Sequence, residues 1–246
     1  MAQLITILHI FILGFLSGST TLVGILIANF MKEKRSHISI GLGFSSGIMI
    51  IISFLELLTT AFNMAPRLPV IFTFTLGFFF IMIFDLLLPH MHFIQEKGNK
   101  NYLIKQSYLV AFGMLIHDFP EGFAMATSFI VDWRLGLLVA LGIAIHNIPE
   151  EFALSIPLVI TGERKLLLKL GLLSTIAEPL GAIFGVLLIQ FGTHFTPFFM
   201  AFAAGVMVFV SVDELVPLAY EYNAMHYYAL GLICGITTFL TLSTFF

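Results

Sequence analysis

The chain is a succession of uninterrupted apolar stretches, each long enough to cross a lipid bilayer. A membrane-spanning helix needs roughly 20 mostly apolar residues. Eight segments meet that length: 4–31, 38–60, 69–92, 107–131, 135–160, 166–191, 196–220 and 226–245. Inside hydrocarbon every backbone N–H and C=O must be satisfied by the chain itself, which leaves helices or closed barrels. The runs are continuously apolar rather than alternating, so they predict helices. Hydrophobic residues make up 59% of the chain and charged residues 10%, which excludes a soluble domain of useful size. The expected fold class is an all-α integral membrane protein of eight transmembrane helices, a single domain over residues 1–246.

Charge placement orients this array. Lys32, Lys34 and Arg35 fall between spans one and two, Lys97, Lys100 and Lys105 between three and four, and Arg164, Lys165 and Lys169 between five and six. The alternate loops carry only Arg67 and Arg134. Basic loops stay on the cytoplasmic side, so both termini are expected outside a cell (inner or plasma) membrane. Met1 to Ile10 has no Lys or Arg and its apolar run continues to Met31, so it reads as a first span rather than a cleaved signal. The one cysteine, Cys234, permits no intramolecular disulfide and argues against a thiolate metal site. No basic patch supports a nucleic-acid role.

Two spans resemble each other without a gap. Phe44, Gly47, Met49, Ser53, Glu56 and Leu57 match Phe202, Gly205, Met207, Ser211, Glu214 and Leu215. Span one matches span six more loosely, with Gly14, Ser17 and Gly24 against Gly171, Ser174 and Gly181. These Gly and Ser positions read as close helix packing. Under the charge-derived topology, the matched spans run in opposite directions. That is the mark of an inverted-repeat transporter with its site near the midplane, where the halves meet. Repeat one is expected over 1–92, a central pair of spans over 107–160, and repeat two over 166–246.

The central pair carries the chemistry. Span four contains His117-Asp118-Phe119-Pro120-Glu121-Gly122, and span five contains His146-Asn147-Ile148-Pro149-Glu150-Glu151. An ionisable side chain at bilayer depth costs roughly 2.5–3.5 kcal/mol on insertion scales. Bearing that cost twice, in the same pattern, points to a bound cation. In each motif His and Glu are four residues apart and share a helix face. Imidazole nitrogen with carboxylate oxygen suits a divalent transition metal. Pro120 and Pro149 lack an N–H and free the carbonyls of Ile116 and Ile145, which then serve as further oxygen donors or line a polar cavity. Glu178 follows on span six, also buried in an apolar run and itself followed by a proline, Pro179. Asp118, Glu121, Glu150 and Glu178 bring four negative charges, which two divalent ions would neutralise; protonation is the competing solution. Glu56, Asp213 and Glu214 lie late in their spans and read either as entrance and exit carboxylates or as helix-end charges. Met49 reads as packing or as a soft ligand. His90-Met91-His92 ends span three and reads as a metal exit point or as an interfacial cluster.

These residues resemble the ZIP (Zrt-, Irt-like) family of metal transporters over nearly the whole chain. The resemblance rests on H-[ND]-x-P-E in spans four and five and Ala177-Glu178-Pro179 in span six. Gly47-Ile48-Met49 and Ser211-Val212-Asp213-Glu214-Leu215-Val216-Pro217 resemble its bacterial ZupT-like branch. The resemblance implies a 3+2+3 bundle that carries Zn²⁺, and often Fe²⁺, Mn²⁺ or Cd²⁺, into the cytoplasm, with no prosthetic group. It implies that spans one, four, five and six slide as a transport bundle against a scaffold of spans two, three, seven and eight. The scaffold would pair two copies as a homodimer through spans three and eight. By motif position His117, Glu121, His146 and Glu150 would form a main metal site with Met49 at its edge. Asp118, Asn147 and Glu178 would form a second site that shares Glu121 and Glu150 as bridges.

The chain departs from that pattern at Asp118, where Asn is usual, and at Glu151, where Gly is usual. Each adds a carboxylate to the candidate metal set. Residues 93–106 contain no histidine, so loop-based metal sensing is not expected. The alternative classes are a membrane-embedded metalloenzyme and a metal sensor. A zinc protease needs H-E-x-x-H and di-iron sites use Glu-x-x-His; neither spacing occurs in these motifs. A sensor needs an output domain, and no loop is long enough to be one.

Overall fold

The computed structural model describes residues 2–30, 34–87, 117–190 and 192–246. Among these residues the chain is helical throughout, with no strand. The helices are α1 (Ala2–Phe30), α2 (Arg35–Met64), α3 (Arg67–Leu87), α4 (residues 117–131), α5 (Trp133–Thr161), α6 (Arg164–Ile189), α7 (Thr193–Glu221) and α8 (Met225–Ser243). All but α4 are long and apolar enough to cross a membrane. The expected first part of span four, residues 107–116, lies outside the described residues. So do 88–92 of span three, with the His90-Met91-His92 cluster, and Lys97, Lys100 and Lys105.

Local signals explain the helix ends near the centre of the chain. Asp132 alone separates α4 from α5. Its backbone is extended, and its Oδ1 accepts from the N–H groups of Arg134 (2.7 Å) and Leu135 (3.4 Å). That satisfies donors the first turn leaves open. Gly162, at φ 75°, ends α5 in the left-handed conformation that glycine adopts without a Cβ penalty.

Both α2 and α7 widen into π-helix, at Ile52–Leu58 and Ser211–Leu215. In the gapless match of these two spans the widened turns fall on corresponding residues. Ser53 and Ser211 each donate back to a methionine carbonyl, Met49 at 2.7 Å and Met207 at 2.9 Å. Such widened turns concentrate at functional sites.

Glycines decide how closely the helices approach. On α2, a Cβ at Gly47 would lie 2.3 Å from the Leu232 carbonyl oxygen of α8; on α7, one at Gly205 would lie 2.0 Å from Phe74 O of α3. A Cβ at Gly24 of α1 would lie 2.5 Å from Ile148 O of α5, and one at Gly181 of α6 would lie 1.9 Å from Phe119 O of α4. Phe119 and Ile148 are the third residues of the two motifs, so the backbones of α1 and α6 press on matching points of α5 and α4. Close approach at small residues lets dispersion forces hold helices together where no hydrophobic drive exists between them and lipid. The outer faces are apolar and exposed, as at Leu68, Phe72 and Ile233.

Candidate metal centre

α4 and α5 lie side by side, and each motif turns its polar face inward. His117, Asp118, Glu121, His146, Asn147, Glu150, Glu151 and Glu178 are all buried. Among the described residues no Lys or Arg pairs with any of them.

The ion-pair contacts cross between the two motifs. His117 Nε2 of α4 lies 3.1 Å from Glu150 Oε1 of α5 and 3.2 Å from Asp118 Oδ1. His146 Nε2 of α5 lies 3.0 Å from Glu121 Oε1 of α4. Glu150 also reaches back, with Oε2 4.0 Å from His146 Nε2, so this carboxylate stands between both rings. His146 Nδ1 sits 3.1 Å from Gly142 O, one turn earlier on its own helix. A carbonyl only accepts, so Nδ1 carries a hydrogen, and Nε2 faces Glu121 at hydrogen-bond distance. Glu121 Oε2, both oxygens of Glu150 and His117 Nδ1 have no hydrogen-bond partner among the described residues.

A second group of contacts ties α1 and α6 to the motifs. Glu178 accepts hydrogen bonds from Asn147 Nδ2 of α5 and from the Ser17 hydroxyl of α1. Asp118 accepts from the Ser174 hydroxyl of α6. Pro179, inside α6, frees the Thr175 carbonyl, and that oxygen faces Gly18 of α1. Ser45 Oγ of α2 donates to His146 O at 2.8 Å.

The sequence reading assigned Ser17 and Ser174 only to packing. Here they are hydrogen-bond donors to two buried carboxylates. The legible signal was that they match each other between spans one and six, and that Ser174 precedes Glu178 by one helical turn. Met49 is fully buried, with Sδ 3.7 Å from Ser211 Oγ of α7. Glu151 accepts from Ser155 Oγ at 3.3 Å and packs beside Gly24 of α1. Glu214 of α7 reaches the centre, its Oε2 3.7 Å from His117 Nδ1.

Among the described residues no group of three or more His, Cys, Asp or Glu side chains is arranged to hold a metal ion as it stands. The donors close on one another in pairs. Chemically this is a buried set of oxygen and nitrogen donors with no fixed cation to balance it.

A helical protein with multiple membrane spans, whose centre is a buried His–carboxylate cluster, is the class these features define. The ZIP Zinc transporter family profile matches residues 93–243. A protein of Streptococcus mutans named zinc transporter ZupT is 36% identical over 250 aligned positions, covering 92% of this chain and 93% of that protein. Proteins of the same name from Chlorobium chlorochromatii and an Enterobacter species are 35% and 32% identical, covering 94% and 92% of this chain and the same shares of their own. The chain belongs to the ZIP family, in its bacterial ZupT-like branch. It is a multi-pass membrane protein, and its relatives are named as transporters, not enzymes.

Proposed function

We propose that this chain carries divalent transition metal ions, Zn²⁺ first among them, across the membrane into the cytoplasm. The observation that carries the reading is the crossed pair of contacts, His117 to Glu150 and His146 to Glu121. Each contact sets a carboxylate oxygen 3.0–3.1 Å from a buried imidazole nitrogen, a pairing held together by a proton or by a shared metal ion. Four buried carboxylates besides Glu151, with no Lys or Arg paired to them among the described residues, call for such charge from outside the chain. Two zinc ligands at about 2.0–2.1 Å in tetrahedral geometry stand roughly 3.3–3.4 Å from each other. The pairs here are at 3.0–3.2 Å, so an ion enters between them after shifts of a few tenths of an ångström.

His117, Glu121, His146 and Glu150 form the main site in this reading, with Met49 at its edge. Asp118, Asn147 and Glu178 form a second, with Glu121 and Glu150 bridging two ions and Glu151 adding charge nearby. Ser17 and Ser174 orient the second-site carboxylates. Fe²⁺, Mn²⁺ and Cd²⁺ fit the same nitrogen and oxygen donors. The eight spans form a 3+2+3 inverted repeat with both termini outside. Helices α1, α4, α5 and α6 move as one body against α2, α3, α7 and α8, and two copies pair through α3 and α8. The close approaches of Gly24 and Gly181 to the motif backbones support a rigid moving body.

The test is flux into proteoliposomes holding a metal-sensitive dye, with Zn²⁺, Mn²⁺, Fe²⁺ and Cd²⁺ compared. Saturable entry that His146→Ala removes is expected. Folded, metal-binding protein that passes none of the four would return the site to a sensor or enzyme.

A further inference from the structure

The two motif histidines hold equivalent positions, yet among the described residues their Nδ1 atoms have different neighbours. His146 Nδ1 bonds to Gly142 O of its own helix. His117 Nδ1 makes no hydrogen bond among the described residues and lies 3.7 Å from Glu214 Oε2, which belongs to α7 in the other group of helices. That separation is an electrostatic contact and is too long for a hydrogen bond.

Glu214 has a counterpart. Glu56 matches it in the gapless alignment of α2 with α7, and each lies in the π-helical stretch of its helix. Glu56 is half-buried, and its carboxylate makes no hydrogen bond or ion pair with any described residue. So one carboxylate of the matched pair is engaged with a site histidine and the other is not.

We propose that Glu214 and Glu56 are alternate docking carboxylates for His117 and His146, one used in each access state. The inference rests on the sliding-bundle reading above. Two halves related by an inverted two-fold exchange their environments when the bundle moves from one face to the other. The contact made here, His117 with Glu214, then gives way to its mirror, His146 with Glu56. His146 would leave Gly142 O and turn its Nδ1–H to the α2 carboxylate. The charge-derived topology agrees in direction: Glu214 falls toward the cytoplasmic end of its span and Glu56 toward the outer end of its own. A carboxylate on the far nitrogen of a metal-binding imidazole fixes its tautomer and raises its basicity. Each docking contact therefore both marks an access state and strengthens one histidine as a ligand in that state. Glu56 and Glu214 are positioning residues that act through the histidines.

The experiment is a distance measurement between spin labels on the two groups of helices. Leu68 of α3 and Leu187 of α6 are exposed and take the labels as Leu68→Cys and Leu187→Cys, in a Cys234→Ser background. Pulsed electron paramagnetic resonance in lipid nanodiscs, with and without Zn²⁺, then compares the parent with Glu214→Gln, Glu56→Gln and the double variant. Two distance populations are expected. Glu214→Gln should move their ratio away from the state described here and Glu56→Gln toward it, each by about threefold, as suits a partly exposed charge contact. The double variant should return near the parent, a cancellation that loss of packing would not produce. Glu214→Asp, which keeps the charge, should shift the ratio less than Glu214→Gln. Shifts of the same sign, or two populations that neither variant moves, overturn the proposal and leave the sliding bundle standing. One unvarying distance in protein that still passes zinc overturns both.

Discussion

Gly122→Ala tests whether the spacing of α4 and α6 sets the second group of donors. A Cβ at this position would lie 1.9 Å from Glu178 O, 2.6 Å from its carbonyl carbon and 2.8 Å from its Cα. Ordinary contact begins at 3.4 Å, so the helices must part by up to 1.5 Å (3.4 − 1.9). All three atoms are backbone, and no rotamer change relieves the clash. Overpacking of this kind costs about 1–3 kcal/mol. Glu178 is held by Ser17 and Asn147, and Asp118 by Ser174 of the displaced helix, so the shift separates these donors. Metal–ligand distances tolerate about 0.2 Å. The expected result is a folded protein with apparent stability lowered by that amount and zinc flux reduced about tenfold or more. The control is Gly171→Ala, whose Cβ would also meet an atom at 1.9 Å, but that atom is Ile25 Cδ1. Ile25 escapes by rotating to another staggered well, so flux should stay within about twofold of the parent. Dye-loaded proteoliposomes measure flux and thermal unfolding measures stability. Equal effects of the two substitutions would refute the argument from backbone contact, as would normal flux through Gly122→Ala.

Three further outcomes are expected. Glu121→Ala and Glu150→Ala should each abolish metal flux while the protein still elutes as a folded species; normal transport by either would remove its bridging role. Asp118→Asn should alter the ranking of Zn²⁺, Mn²⁺, Fe²⁺ and Cd²⁺ in competition flux more than it alters folding, and an unchanged ranking would count against a ligand role for Asp118. Ser174→Ala removes a donor from a buried carboxylate and should lower the stability of metal-free protein by about 1–3 kcal/mol. Thermal unfolding with and without Zn²⁺ checks this, and an unmoved transition would show that Asp118 does not depend on the hydroxyl.

The length and continuity of the apolar runs were enough to determine an all-helical membrane protein, because hydrocarbon leaves the backbone so few ways to satisfy its own polar groups. The same logic made the ionisable residues legible: His117, Glu121, His146, Glu150 and Glu178 are conspicuous in apolar surroundings whatever they touch. What they touch was not legible. Spacing of four residues groups His117 with Glu121 and His146 with Glu150 on common helix faces. The structure instead brings His117 to Glu150 and His146 to Glu121, across the two helices. Both pairings satisfy the same sequence pattern. The partners of Ser17, Ser174 and Glu214 were hidden for a related reason, since each is met over more than fifty residues of chain. Periodicity and burial cost are properties of one helix and can be read along it. The choice of partner belongs to the approach of one backbone to another, and here glycine contacts such as Gly122 against Glu178 and Gly24 against Ile148 make that choice.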